Sequence, residues 1–188
     1  MKLTRLILIL MGCVVTSVAA QQADMPKNQL GISAQFYPAG FIPTVNLEHH
    51  LKGKTSLLLR LGANIVDRQD FSDVNLTEEG TGFGGSLGVR NRYPWGKGDF
   101  IAGLNLDVWS LTIDWTDIAP TDAPLSGSTY TLVVQPWLEA GYFLPIKNSN
   151  SQIGFSLGFG REINAITSGE EVEQGFIASA SLQFQFGL

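Results

Sequence analysis

Residues 176–188 read FIASASLQFQFGL, a stretch in which apolar residues alternate with polar or small ones. In an extended strand successive side chains point to opposite faces, so an alternation with a period of two predicts a β-strand that is apolar on one face. Phe184 and Phe186 lie on the apolar face of the predicted strand, whereas Gln183 and Gln185 lie on the other. This segment therefore indicates a sheet protein rather than a helical one.

The same alternation recurs in seven earlier segments, at 30–36, 45–51, 57–65, 83–89, 100–108, 132–142 and 153–159. We therefore expect eight antiparallel strands in total. The fifth strand is expected to continue through Trp115 after a phase change near Trp109, which a β-bulge would explain. A bulge is also expected at Pro136, because proline cannot donate to the hydrogen-bond ladder.

The predicted connections alternate in length along the chain. Short turns fall at 52–54, 93–99 and 146–151, and longer polar segments fall at 67–80, 116–128 and 164–173. The connection at 38–44 is an exception: by its order in the chain it belongs with the long loops, but it is short. Short turns at one end and long loops at the other, with an even strand number, are typical of outer-membrane β-barrels. The pattern predicts an all-β fold, namely an eight-stranded antiparallel up-and-down transmembrane β-barrel with both termini at the periplasmic end.

The composition excludes several classes of protein. Only 15% of the 188 residues are charged, compared with about a quarter in ordinary soluble domains. Disordered chains have low hydrophobicity and nucleic-acid-binding domains are basic, whereas this chain is 44% hydrophobic with a formal net charge of -5. A single cysteine excludes a disulfide scaffold and a multi-thiolate metal site. Nucleic acid is therefore not an expected partner.

The face opposite the apolar one is rich in small residues. They are Gly31, Ser33, Gly62, Gly82, Gly84, Ser86, Gly88, Gly103, Gly141, Gly154, Ser156, Gly158, Gly160, Gly175, Ser179 and Ser181. Small side chains suit the interior of an eight-stranded barrel, which only just accommodates side chains. We therefore expect the apolar face to meet lipid. A soluble lipocalin-type barrel would reverse the two faces and would not explain the low charge fraction.

Aromatic residues cluster near both ends of the predicted strands, as the two interfacial girdles of a membrane barrel require. At the short-turn end these are Tyr93, Trp95, Phe100, Tyr142, Phe184 and Phe186, and at the loop end they are Phe36, Trp115, Tyr130 and Phe176. The two clusters predict the levels at which the barrel meets the membrane surfaces.

With these features the chain resembles the small outer-membrane β-barrel family typified by OmpX-like proteins and by the membrane domain of OmpA-type proteins, a porin-family barrel. Phe184, Phe186 and Leu188 look like the C-terminal insertion signal that the barrel assembly machinery reads in this family, with Leu188 in place of the usual terminal Phe. The resemblance implies the cell outer membrane of a Gram-negative envelope as the location. The implied partners are outer-membrane lipids, lipopolysaccharide and, during insertion, the barrel assembly machinery. The resemblance also implies a monomer without cofactors.

Residues 1–20 read as a signal peptide, because Lys2 and Arg5 precede an apolar run and small residues precede Gln21. The barrel domain would then comprise residues 21–188. In an alternative interpretation 10–13 form a lipoprotein box, and Cys13 becomes the lipidated first residue.

Four charged residues are predicted to meet inside the barrel. Folding the hairpin about 52–54 places Glu48 opposite Arg60, both on the inward face. Arg90 would lie beside Arg60, and Glu139 would complete the set from across the lumen. Because an unpaired buried charge is costly, these residues form either a salt-bridge plug or a gate that opens when a pair exchanges partners.

The long loops are acidic and the short turns are basic. The loops carry Asp67, Asp70, Asp73, Glu78, Glu79, Asp117, Asp122, Glu170, Glu171 and Glu173, and the turns carry Lys52, Lys54, Lys97 and Lys147. The carboxylates form either a solvated acidic rim or ligands for divalent cations that bridge lipopolysaccharide phosphates. The loops lack the Asp-x-Asp-x-Asp-Gly spacing of a calcium loop, so no metal site is predicted.

Catalytic residues are not predicted either. His49 and His50 are the two histidines, and neither is followed two residues later by a serine, as lipid A deacylase barrels require. We expect His49 at the membrane interface and His50 in a hydrogen bond inside the lumen. The predicted function is a structural, adhesive or surface-interaction role through the extracellular loops. A narrow porin-like channel is the alternative, and a lipid A modifying enzyme is a third, less favoured possibility.

Overall fold

The computed structural model describes residues 26–68, 75–118 and 124–188. They form nine strands: β1 Asn28–Tyr37, β2 Gly40–His50, β3 Thr55–Asp67, β4 Thr77–Trp95, β5 Gly98–Ile118, β6 Pro124–Pro145, β7 Ser151–Arg161, β8 Ile163–Ser168 and β9 Phe176–Gly187. The predicted signal peptide with Cys13 and the loop residues Asp70, Asp73 and Asp122 lie outside the described residues. In the described part of the chain no helix has the length and apolar character needed to cross a membrane.

The strands close into one antiparallel ring. Their order is β5-β4-β3-β2-β1-β9-β7-β6-β8, and pairing of β5 with β6 closes the sheet. The first and last strands are neighbours, with Ile32 of β1 opposite Phe184 of β9. Closure leaves the long strands without a free edge, so their backbone groups are satisfied within the sheet. We call the interior of this ring the lumen.

The expected number of eight strands is wrong, because the segment predicted as one strand and a loop contains both β7 and β8. Both pair with β6, through Trp137 opposite Gly160 and Val134 opposite Ile163. Between them Glu162 leaves the ladder, and its backbone N–H donates to the carbonyl of Gly175 at 2.7 Å. The seventh strand is therefore interrupted by one residue without a change of register.

The expected bulge at Pro136 is also wrong. Pro136 pairs with Leu106 of β5, and it lies opposite the interruption between β7 and β8. Because the ladder is interrupted there, the missing N–H of proline costs little. The register shift is found instead in the pairing of β6 with β8, where Leu132 lies opposite Ile166 and Val133 lies opposite Asn164.

Strands β4, β5 and β6 are longer than predicted and extend into the segments expected to be loops. The predicted loop at 67–80 ends where β4 begins at Thr77, and the one at 116–128 is mostly strand. At the other end the turns are short, as predicted. These strands therefore project as a sheet beyond the part of the ring that carries the exposed apolar belt.

The two faces of the ring are sorted as predicted over the half nearest the short turns. Outward-facing Leu104, Leu106 and Val108 are 59%, 48% and 41% exposed, whereas the intervening Asn105 and Asp107 are buried. The outward belt is apolar and the lumen is polar, which is the reverse of a soluble protein.

Beyond Val108 both faces of β5 change character, but the backbone does not. The pairing of β4 with β5 runs without a shift from Trp95 opposite Gly98 to Thr77 opposite Thr116, so the bulge expected near Trp109 is absent although the apolar residues change phase there. Trp109 and Leu111 face inward and are buried, whereas the outward positions become Ser110 and Thr112. The character of the residues on each face of the sheet therefore inverts at this level.

Candidate functional site

The lumen near the short turns is filled by a network of ion pairs. Glu48 is fully buried and accepts hydrogen bonds from the guanidinium groups of Arg90 and Arg92, each at 2.8 Å. The hydroxyl of Ser56 also donates to Glu48 at 2.6 Å. Glu48 thus contacts two cations at the centre of the network, and a buried charge requires partners of this kind.

Glu139 extends the network to the opposite wall. Its carboxylate accepts from Arg90 at 2.8 Å, from Ser156 at 2.8 Å and from Gln183 at 2.9 Å. Three of the four predicted residues, Glu48, Arg90 and Glu139, therefore lie in one continuous chain of ion pairs across the lumen.

Arg60 does not have the predicted partners. Its neighbour on β2 is Asn46, while Glu48 lies opposite Leu58, because the hairpin is centred on Gly53 and not one residue later. Arg60 donates instead to both carboxylate oxygens of Asp107 at 2.9 Å.

Arg90 is also displaced from its expected neighbour. It lies opposite Ser56 of β3, not beside Arg60. The register across the long connection between β3 and β4 therefore differs from the one expected, while the inward direction of all four charged residues is as predicted.

Several residues of the network were not predicted. Arg92 shares the inward face of β4 with Arg90, and Asp107 shares the inward face of β5 with Asn105. Gln35 accepts a hydrogen bond from Arg60 at 2.9 Å. The alternation of the sequence contained the signal for these residues, because it places them on the inward face, where most buried polar groups are hydrogen-bonded.

Above the ion pairs the lumen is closed by apolar side chains. The cluster consists of Tyr37, Ile42, Val66, Trp109, Leu111, Ile113, Trp115, Val133 and Val172. Trp115 is therefore part of an interior core and not of the outer girdle, where it was expected.

Glycines of β4 make room for this apolar core. Gly80, Gly82 and Gly84 lie opposite Ile113, Leu111 and Trp109. A Cβ atom added to Gly84 would lie 2.0 Å from the carbonyl oxygen of Val108 and 2.6 Å from the ring of Trp109. Small residues on one strand thus permit large ones on the next, as expected for a crowded lumen.

The loop between β8 and β9 covers the far end of the lumen. Val172 of this loop is 1% exposed and packs in the apolar core, and the side chain of Asn164 donates to its carbonyl at 2.9 Å. Asn75 donates to the carbonyl of Glu171 at 3.1 Å, and Thr129 donates to that of Glu170 at 2.9 Å. The loop is therefore tied to the ring on several sides.

A second set of ion pairs lies beneath this loop. Arg68 binds Glu78 at 2.8 Å, contacts Glu162, and donates to the carbonyl of Glu173 at 2.9 Å. Burial raises the pKa of the Glu78 carboxyl, but hydrogen bonds from Asn75, Arg68 and the backbone of Glu173 outweigh it, so that this pKa is lowered overall. Glu78 thus holds the loop in its ionised form.

The other predicted positions are less connected. His49 contacts the side chain of Asn28 at 2.7 Å, whereas Nε2 of His50 is buried without a hydrogen-bond partner, so the expected lumenal hydrogen bond of His50 is absent. Phe184, Phe186 and Leu188 are exposed on the outer face. In the described ranges no group of three His, Cys, Asp or Glu residues is arranged to hold a metal ion.

The short-turn end carries an aromatic cluster on its outer surface. Trp95 packs edge-on against Tyr142 with ring centroids 6.3 Å apart, and Phe100 lies 6.4 Å from both Trp95 and Tyr93. The hydroxyl of Tyr142 donates to the carbonyl of Trp95. Amphipathic rings in such a position are typical of the level at which a membrane protein meets lipid headgroups.

No family model matches the chain, and no curated protein matches it in sequence. Solved structures do match its fold. The chain is similar to Neisserial surface protein A (NspA), with a TM-score of 0.57 and 6% identity over 86% of this chain and 96% of that one. It is also similar to a major outer membrane protein from Thermus thermophilus, with a TM-score of 0.59 and 15% identity over 85% and 98% of the two chains. The closed antiparallel sheet is thus a fold found in bacterial outer-membrane proteins, and it agrees with the predicted location in the cell outer membrane.

Proposed function

We propose that this chain is an integral outer-membrane β-barrel whose role is structural, adhesive or surface-interacting rather than transport. The observation that carries the proposal is the inversion of both faces of β5 at Val108 to Ser110. An outer face that is apolar below this level and polar above it fits a ring that leaves hydrocarbon and enters water. At the same level the interior changes from polar to apolar. Above it the ring therefore has an apolar interior and a polar exterior, as a soluble protein does.

The filled lumen favours a closed barrel over a channel. Below the inversion, Arg60, Arg90 and Arg92 are each buried and paired with carboxylates. Above it, Trp109 and Ile113 are fully buried in the apolar core. An ion would have to displace both layers, at the cost of unpaired charge in one and lost packing in the other. The channel alternative therefore has less support.

The projecting sheet is the surface that we propose meets other molecules. Its outward residues on β4 to β6 are polar, and they include Thr77, Glu79, Asp114, Thr116 and Ser128. A rigid sheet presents such side chains at fixed spacing, which costs less conformational entropy on binding than a mobile loop does. We assign no catalytic role, because the charged residues of the lumen are occupied with one another.

Two measurements test the proposal. Folded membrane barrels migrate differently on gels before and after boiling, so we expect two positions for this protein and recovery from the outer-membrane fraction. In planar bilayers the folded protein is expected to give no discrete conductance steps. Recovery of the protein in the periplasmic soluble fraction would contradict the membrane assignment, and regular conductance steps would favour the channel.

A further inference from the structure

The described residues at the short-turn end of the ring are rich in lysine. The five lysines in the described residues all lie there: Lys27, Lys52, Lys54, Lys97 and Lys147. Near the short turns, the acidic residue Asp99 lies at the start of β5. Its carboxylate is 4.0 Å from the guanidinium group of Arg92. An exposed surface of one charge sign attracts a partner of the other sign.

Two of these lysines border an open groove. Its lining residues are Lys27, His49, His50, Leu51, Lys52 and Thr55, and its volume is about 650 Å³. The backbone N–H of His50 donates to the carbonyl of Lys27 at 2.8 Å, which joins the start of the first strand to the end of the second. The groove thus brings two ammonium groups together on a backbone fixed by the sheet.

The free donors of the groove are its two lysines. Nδ1 of His49 donates to Oδ1 of Asn28 at 2.7 Å, and Nε2 of His50 is buried and out of reach of a ligand. Lys27 and Lys52 are exposed. This set of groups suits a phosphate, because phosphate oxygens accept charge-assisted hydrogen bonds from several donors at once.

The groove also borders the apolar belt. Leu51 is 48% exposed, and Leu57, which lies opposite His49, is 47% exposed on the outer face. Nearby, Nζ of Lys54 lies 5.0 Å from the ring centroid of Tyr93, so a lysine and an aromatic ring mark the headgroup level. A ligand in the groove would therefore have its anionic part beside the lysines and an apolar part against leucine.

We propose that this groove binds the phosphate headgroup of an anionic phospholipid in the periplasmic leaflet. The inference rests on the proposed function and on the orientation predicted from the sequence, in which the short turns and both termini lie at the periplasmic end. Lys27 and Lys52 bind the phosphate oxygens, and Leu51 contacts the start of an acyl chain. The acidic far end of the ring offers no comparable set of lysines within the described residues.

The test is lipid retention by native mass spectrometry of the folded protein, mixed in detergent with equal amounts of phosphatidylglycerol and phosphatidylethanolamine. We expect phosphatidylglycerol to be retained in preference, and the double variant Lys27→Gln/Lys52→Gln to lower its retention by about tenfold. The matched control Lys97→Gln/Lys147→Gln removes the same charge from other turns and should retain the lipid. All four lysines are exposed, so these variants should fold, and the gel shift on boiling verifies folding.

Three results would overturn the inference: no preference for phosphatidylglycerol, equal losses in the two double variants, or equal binding of soluble glycerol phosphate, which lacks acyl chains. Each of them would leave the membrane barrel intact if the gel shift persists. Loss of the gel shift in the unmodified protein would instead contradict the proposed function.

Discussion

Arg60 and Asp107 form an ion pair across an intervening strand, with one guanidinium nitrogen 2.9 Å from both carboxylate oxygens. Both residues lie opposite Ser86 on β4, one on each side of it. The small serine side chain leaves the space above it free, so that the pair can form over it. For this pair the available space, and not the pairing of adjacent strands, therefore decides the partners.

Replacing Asp107 with Asn is expected to destabilise the barrel by about 3 kcal/mol, because Arg60 is then left buried without its carboxylate. Trp137 also donates to Asp107 at 2.7 Å, and Asn retains an acceptor for it. Urea unfolding in lipid vesicles, followed by tryptophan fluorescence, measures the effect. The double variant Arg60→Met/Asp107→Leu should lose less stability than Asp107→Asn. Equal stability of Asp107→Asn and the unmodified protein would show that the pair contributes nothing.

Replacing Glu48 with Gln distinguishes the two hypotheses for the lumenal ion pairs, a salt-bridge plug and a gate. The change removes the carboxylate shared by Arg90 and Arg92, so we expect a loss of stability of about 3 kcal/mol. The lumen should remain closed in planar bilayers, because the apolar core around Trp109 and Leu111 is untouched. Discrete conductance steps in Glu48→Gln would support the gate, and unchanged stability together with unchanged closure would contradict both.

Gly84→Val tests the close contact between β4 and β5. The added Cβ would meet the carbonyl oxygen of Val108 at 2.0 Å, so the strands must shift, and we expect a loss of about 2 kcal/mol in the free energy of unfolding. Gly175→Ala is the control, since its added Cβ would have Glu173 as nearest neighbour, at 3.8 Å. Similar stabilities of the two variants would contradict the packing described for the lumen.

The ionised form of Glu78 predicts a pH dependence for the loop between β8 and β9. A carboxyl whose pKa is lowered on folding stabilises the folded state above its unfolded pKa, and this stability is lost as the pH falls through the folded pKa. The loop should therefore stay protected at mildly acidic pH and open only below the ordinary range of a glutamate. Hydrogen exchange at 170–175, corrected for the intrinsic rate, measures this opening.

The control for this prediction is Glu78→Gln, which cannot ionise. Its loop should be less protected at neutral pH and should lack the transition on acidification. Protection in the unmodified protein that does not change with pH, or a transition that persists in Glu78→Gln, would mean that another group holds the loop.

The alternation in the sequence predicted the sheet, the direction of most side chains and the short turns. It could not predict the partners of Arg60, because a turn centred one residue earlier moves the opposing residue by two positions. It also led to a bulge near Trp109 that is absent. The apolar residues change parity there because the surroundings change, and a sequence pattern cannot distinguish this from a shift of the backbone.

The sequence by itself determined the period of two, the low charge and the small residues of one face. These features indicate a closed membrane sheet, because a surface in hydrocarbon excludes charged residues and a narrow, crowded lumen favours small ones. The tertiary structure alone decided which charges meet, where the seventh strand is interrupted and which loop residue enters the lumen. These features depend on contacts between residues far apart in the chain, such as Arg68 with Glu162 and Arg92 with Glu48. Local pattern sets the face on which a side chain lies, but only ring closure brings opposite walls within hydrogen-bond distance.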